Sequence, residues 1–214
     1  MNKYETKNRA IKIPINSIFL EGILSVPKEA SGIVIFAHGS GSSRLSPRNS
    51  FVAEYLQENG FATLLFDLLT EEEDRSYENR FDIDLLMERL EIVTDWVSKE
   101  PVTRKLKVGY FGASTGSAAA IKAAVGLENK ISALVSRGGR PDLAAAEAAD
   151  LRAPTLFIVG GNDRIVLELN SMIFDKIKTD KKFAIVPGAT HLFEEKGALE
   201  EVARLSAEWF KKYL

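Results

Sequence analysis

The hexapeptide Gly32-Ile33-Val34-Ile35-Phe36-Ala37 carries no polar side chain. A strand turns successive side chains to opposite faces, so this run has no side suited to water and must be covered on both. A central strand of a mostly parallel sheet, with helices packed above and below, meets that demand. The remaining sequence keeps the matching rhythm of short apolar runs alternating with longer amphipathic ones, the pattern of an α/β protein.

Strands are expected at Ile11–Ile15 and Ile18–Val26, turned by Asn16-Ser17. This pair is antiparallel, because a parallel crossover needs a far longer connection. Further strands are expected at Phe61–Phe66, Leu106–Phe111, Ile131–Val135, Pro154–Val159 and Phe183–Val186. Ser46-Pro47 caps and starts a helix that runs to about Asn59 and stops at Gly60. Ile83, Leu86, Leu90, Val93 and Val97 share one face of a second helix over Asp82–Lys99. Others span about Ser114–Val125, Val166–Ile177 and Ala198–Tyr213, and Trp96 and Trp209 fall at core-facing positions. With neither repeat nor linker, residues 1–214 read as one domain.

The 214 residues are 45% hydrophobic and 27% charged, enough for one full core. A formal net charge of −2 argues against nucleic acid or an anionic membrane as partner, since both require a basic surface. Cysteine is absent, which removes disulfides, thiolate metal sites and a thiol nucleophile. Two histidines far apart leave no clustered ligand set, so neither a metal nor another cofactor is expected. The polar lead Met1–Ala10 has no signal-peptide character, and a cytoplasmic location is expected. The acidic run Glu71-Glu72-Glu73-Asp74 reads as a solvated loop, and Lys211-Lys212 as a dipole-favoured helix end.

Ligands of parallel sheets bind beyond the carboxyl ends of the strands. The segment Gly112-Ala113-Ser114-Thr115-Gly116 follows one strand and opens an Ala-rich helix, which makes it a nucleophile elbow. Such a turn lifts a serine hydroxyl clear of the sheet, and the flanking glycines let strand and helix approach closely. Ser114 becomes nucleophilic only when a base takes its proton, and a carboxylate must hold that base in the right tautomer. His191, in the small-residue loop Pro187-Gly188-Ala189-Thr190-His191, stands at the correct end of the sheet, whereas His38 is better suited to shaping its own loop. Asp163, after Gly160-Gly161-Asn162, is the orienting acid, with Asp142 as competitor. Asp67 precedes Ser114 in the chain and is read as capping a strand end. Backbone N–H groups of Ser40, in the loop His38-Gly39-Ser40-Gly41-Ser42-Ser43-Arg44, and of Thr115 are the candidate oxyanion donors. That loop lacks the lysine of a P-loop and the third glycine of a dinucleotide fingerprint.

Taken in order, the elbow, Asp163, His191 and the His38-Gly39-Ser40-Gly41 loop resemble the α/β-hydrolase superfamily, and the short body is similar to its dienelactone hydrolase-like branch. The resemblance implies a fold of about eight mostly parallel strands with helices on both faces. It assigns Ser114 as nucleophile, His191 as base, Asp163 as its orienter, and Ser40 and Thr115 as oxyanion donors. Dienelactone hydrolases proper carry cysteine at the elbow, so lactone specificity does not transfer to Ser114.

Fewer than 20 residues separate Val135 from Pro154, too few for a helical cap domain, so an open site is expected. Arg44 and Arg48 follow the oxyanion loop, while Arg137 and Arg140 follow the strand after the elbow helix. Their planar forks suit a carboxylate or phosphate, which points to a small anionic acyl substrate, unless they pair with the acidic run instead. The expected activity is ester hydrolysis through an acyl-enzyme. An acyltransferase sharing that intermediate and a non-catalytic ligand-binding protein are the alternatives.

Overall fold

The computed structural model describes residues 7–214; within the polar lead Met1–Ala10, Met1–Thr6 lie outside the described residues. Eight strands form one sheet: β1 (Lys7–Ile15), β2 (Ile18–Val26), β3 (Gly32–Ala37), β4 (Ala62–Phe66), β5 (Lys107–Ala113), β6 (Ile131–Arg137), β7 (Thr155–Gly160) and β8 (Lys181–Val186). Their spatial order is β1-β2-β4-β3-β5-β6-β7-β8. β1 and β2 form an antiparallel hairpin, with Asn16 at φ 50° in its turn, and β2 runs antiparallel to β4. All other pairings are parallel.

Among the described residues five helices cover the sheet: α1 (Pro47–Glu58), α2 (Ile83–Lys99), α3 (Thr115–Gly126), α4 (Arg164–Lys176) and α5 (Ala198–Tyr213). Ser46 caps α1, accepting from the Asn49 N–H at 3.4 Å, and Asp82 caps α2, accepting from Leu85 N–H at 3.0 Å. The apolar face of α2 is buried through Ile83, Leu86, Leu90, Val93 and Val97, as its spacing predicts. Strand β3 divides its side chains between two cores. Ile33, Ile35 and Ala37 pack with α2 and α3, while Val34 and Phe36 pack with Val52, Ala53 and Leu56 of α1 and with Val202 and Phe210 of α5. Each fully buried side chain of this kind contributes about 1.5–3 kcal/mol relative to exposure. Trp209 is buried in the second core, and Trp96 packs partly buried against the first.

From β3 the chain runs outward through α1 to β4, then back through α2 to β5 on the other flank of β3. The reversal opens a crevice beyond the carboxyl ends of β3 and β5, where open α/β sheets bind ligands. The connection from β6 to β7 holds only a short 3-10 turn at Pro141–Ala144, so among the described residues no cap domain stands over that crevice. Of the acidic run, Glu71 and Glu72 are exposed as a solvated loop would have them, while Glu73 and Asp74 are held in ion pairs. Glu73–Arg75 and Asn79–Phe81 are 3-10 turns, with Glu73 paired to Arg89 at 2.7 Å and Asp74 to Arg80 at 2.9 Å. No described helix is long and apolar enough to cross a membrane.

Candidate active site

Ser114 sits between the last residue of β5 and the first of α3 at φ 50° and ψ −122°, a conformation that L side chains rarely adopt. A residue held there stores of order 1–3 kcal/mol of strain, which the surrounding structure must enforce. Both sides of the turn are pinned. The Ser114 N–H donates to the Arg137 carbonyl at 3.2 Å, and the Ser114 carbonyl accepts from Arg140 N–H at 3.1 Å. The glycines remove obstacles: a Cβ on Gly112 would lie 2.6 Å from Ser117 Cα, and one on Gly116 would overlap the Ala37 carbonyl oxygen.

His191 follows β8 and Asp163 follows β7. The loops bring them together, with His191 Nδ1 2.7 Å from Asp163 Oδ2. Nδ1–H donating to the carboxylate leaves Nε2 as the ring's basic atom. The His191 loop is braced by Glu195, whose Oε1 accepts from Thr190 N–H at 3.1 Å and from the Thr190 hydroxyl at 2.6 Å. Ser114 and His191 line one cavity of about 270 Å³, walled also by Gly39, Ser42, Arg48 and Arg137. No hydrogen bond joins the Ser114 hydroxyl to the imidazole among the described residues, a contact that often tightens only with substrate in place.

The competing residues serve other ends. His38 is buried, its Nδ1–H donating to Gly39 O at 2.9 Å and its Nε2 accepting from Leu68 N–H at 3.1 Å. Burial holds its pKa below the ordinary 6.5, against the pull of the Gly39 carbonyl and of Asp67 and Asp74. Asp142 is gripped by Arg140, and Asp67 accepts from the Arg44 N–H at 2.7 Å.

Two of the four expected anion-binding arginines turn away from Ser114. Arg44 pairs with Asp67 and Glu21 beside a separate cleft, and Arg140 makes a fork to Asp142 at 2.9 and 2.8 Å. Arg48 and Arg137 do line the cavity. Arg137 is 5% exposed, and among the described residues its guanidinium donates only to Asn49 Oδ1, at 3.2 Å, with Phe193 stacked 5.7 Å away. Burial, then the nearby Arg48 charge, pulls its pKa down to about 10, which leaves it cationic at neutral pH. Arg48 pairs with the exposed Glu194 at 3.1 Å, and the buried Nε atoms of both arginines have no partner among the described residues. Asn49 and Glu194, which hold these two cations, carry no motif by which the sequence would single them out.

The Ser40 amide also departs from expectation. Its N–H donates to the Thr115 hydroxyl at 2.9 Å and is not free for an oxyanion. The Thr115 N–H, at the first position of α3, has no intrahelical acceptor.

Residues 20–214 match the dienelactone hydrolase family. A crystal structure of a dienelactone hydrolase from Anabaena variabilis ATCC 29413 is 51% identical, covers 99% of this chain and 100% of that one, and superposes with a TM-score of 0.96. Est1E of Butyrivibrio proteoclasticus, seen with ferulic acid bound, shares the fold at 19% identity, with a TM-score of 0.83 over 95% of this chain and 99% of that one. A protein of Mycobacterium tuberculosis (strain ATCC 25618 / H37Rv) that bears a provisional phosphoribosyl transferase name is 52% identical over 208 residues. That match covers 97% of this chain but 47% of the relative, so the chain spans about half the length of the curated relatives it matches.

Proposed function

The chain belongs to the dienelactone hydrolase family, and on that premise we propose that it is a serine hydrolase cleaving an ester of a small, anionic acyl compound through an acyl-enzyme. The observation that carries this reading is the strained Ser114 opening onto the same cavity as a His191 ring already oriented by Asp163. In the first step His191 Nε2 takes the Ser114 proton as Oγ attacks the ester carbonyl, and the carbonyl π pair moves onto oxygen. Collapse of the tetrahedral adduct expels the alcohol, which receives the proton from His191. Water then repeats the sequence on the acyl-serine and releases the acid. Asp163 stabilises the transient imidazolium throughout. Arg137 supports the anionic preference, because a buried cation lacking a carboxylate partner is costly unless a ligand supplies one. The phosphoribosyl transferase name belongs to a relative about twice as long, and an activity of that kind is not assigned to the cavity around Ser114.

The test is labelling by a fluorophosphonate probe, with the adduct located by peptide mass spectrometry. Adduct on Ser114 in the wild type and none in Ser114→Ala is the expected result. A folded wild type that takes up no probe would overturn the triad and leave a binding protein on a hydrolase fold.

A further inference from the structure

The Thr115 side chain holds an unusual position for a buried helical hydroxyl. Thr115 is 2% exposed and is the first residue of α3. The other buried helical hydroxyls all have a partner that can take their proton: Thr94 donates to Leu90 O at 2.8 Å and Ser206 to Val202 O at 2.7 Å, one turn back, while Ser117 of α3 shares a hydrogen bond with the Ser136 hydroxyl at 2.6 Å. Four residues before Thr115 stands Phe111, inside β5, where the backbone is extended and no such carbonyl is presented. The Thr115 Oγ1 accepts from the Ser40 N–H at 2.9 Å, and its own proton has no acceptor among the described residues. A buried hydroxyl with an uncommitted proton is an incomplete hydrogen-bond chain.

The hydrogen-bond partner of Thr115, Ser40, and its chain neighbour Ser114 both line the cavity at the elbow. Thr115 adjoins Ser114, and the loop carrying Ser40 presses on the same residue, since a Cβ on Gly39 would lie 3.0 Å from Ser114 Cβ. The oxygen of an ester attacked by Ser114 develops its charge in this corner. We propose that the Thr115 hydroxyl is the second oxyanion donor, taking the place that the Ser40 amide would otherwise fill, so that one residue supplies both an N–H and an O–H to the tetrahedral intermediate. The inference rests on the serine hydrolase reading. No proton is transferred: the hydroxyl keeps its hydrogen and shares it with the oxyanion. The Ser40 N–H, one step behind, polarises the hydroxyl and makes it a stronger donor. The extra bond exists only while the carbonyl carbon is tetrahedral, so it acts on kcat more than on KM.

Thr115→Val keeps the shape and the backbone N–H but removes the hydroxyl, and it also releases the Ser40 amide. The two candidate donors therefore give opposite results with p-nitrophenyl acetate. If the hydroxyl is the donor, kcat falls by about 10²-fold, KM stays within about two-fold, and Thr115→Ser restores most of the rate. If the Ser40 amide is the donor, the folded Val variant holds or gains kcat, and the inference is overturned. It is equally overturned if Thr115→Ser is as slow as Thr115→Val, for the defect then follows the methyl contact. Thr115→Ala serves in the same comparison should the Val variant fail to fold. Absence of fluorophosphonate labelling in the wild type is a separate outcome that removes the hydrolase reading, and this inference with it.

Discussion

Arg137 and Asn49, which both line the cavity, are joined by a hydrogen bond from the guanidinium to the amide oxygen at 3.2 Å, where a carboxylate would ordinarily stand. A neutral partner leaves the cation's charge uncompensated, which a fold tolerates when a ligand brings the opposite charge.

The consequence for specificity is measurable. Arg137→Met retains the bulk and removes the charge, and a charge-assisted hydrogen bond of about 1.5–3 kcal/mol corresponds to about 10- to 100-fold in kcat/KM. The ratio of kcat/KM for a succinate monoester to that for a neutral butyrate ester should fall by that factor. Arg44→Ala and Arg140→Ala, whose side chains are held by Asp67, Glu21 and Asp142, should leave the ratio where it is. The Arg137→Met protein should melt no lower than the wild type, since it buries one uncompensated charge fewer. An unchanged ratio in Arg137→Met would remove the anion from the proposed substrate.

Asp163→Asn tests the dyad. The amide can present its N–H to His191 Nδ1 and trap the ring with its proton on Nε2, where the base must be empty. A loss of about 10³- to 10⁴-fold in kcat is expected, with secondary structure and melting temperature close to wild type. Steady-state hydrolysis and circular dichroism read the two halves of this prediction.

Ser114 at φ 50° offers a comparison of function with stability. Ser114→Gly and Ser114→Ala both abolish acyl transfer, but only glycine relaxes at this φ and ψ. Urea unfolding should place the glycine variant about 1 kcal/mol above the alanine variant, despite glycine's larger entropy in the unfolded chain. Equal stabilities would mean that the elbow stores no strain.

His38 predicts the acid limb of stability. Burial lowers its pKa in the folded protein, so between the unfolded value near 6.5 and that lower value the unfolded chain binds more protons. Its contribution is complete above about pH 6.5 and is lost as pH falls through the folded pKa. His38→Gln, which keeps an acceptor for the Leu68 N–H without a titrating ring, should flatten the wild type's loss of urea stability between about pH 7 and pH 5.

The parts of this molecule legible in its sequence are those set by backbone periodicity. The all-apolar β3 announced a strand covered on both faces, and Val34 and Ile35 indeed enter different cores. The strand-to-helix turn at Ser114 was readable because glycines mark where chains approach. The order of residues after the strands also placed Asp163 and His191 at one end of the sheet. Side-chain destinations were less legible. Arg44 follows β3 and Arg137 ends β6, both at that end of the sheet, yet the first side chain goes to carboxylates and the second to the amide of Asn49. Asp67 and Glu21 become neighbours of Arg44 only through the pairing of β2 with β4. The fate of the Ser40 amide turned on a single threonine rotamer, which no spacing encodes.

The three reacting groups do not share one mechanical fate. Ser114 hangs from β5 in the middle of the sheet, while Asp163 and His191 hang from β7 and β8, the last two strands, and β8 is bonded along one side only. Fraying begins at such margins, so warming or mild denaturant would separate the proton acceptor from the nucleophile while the interior remains folded. The protein would fall silent before it melts, with an intact serine that has lost its base.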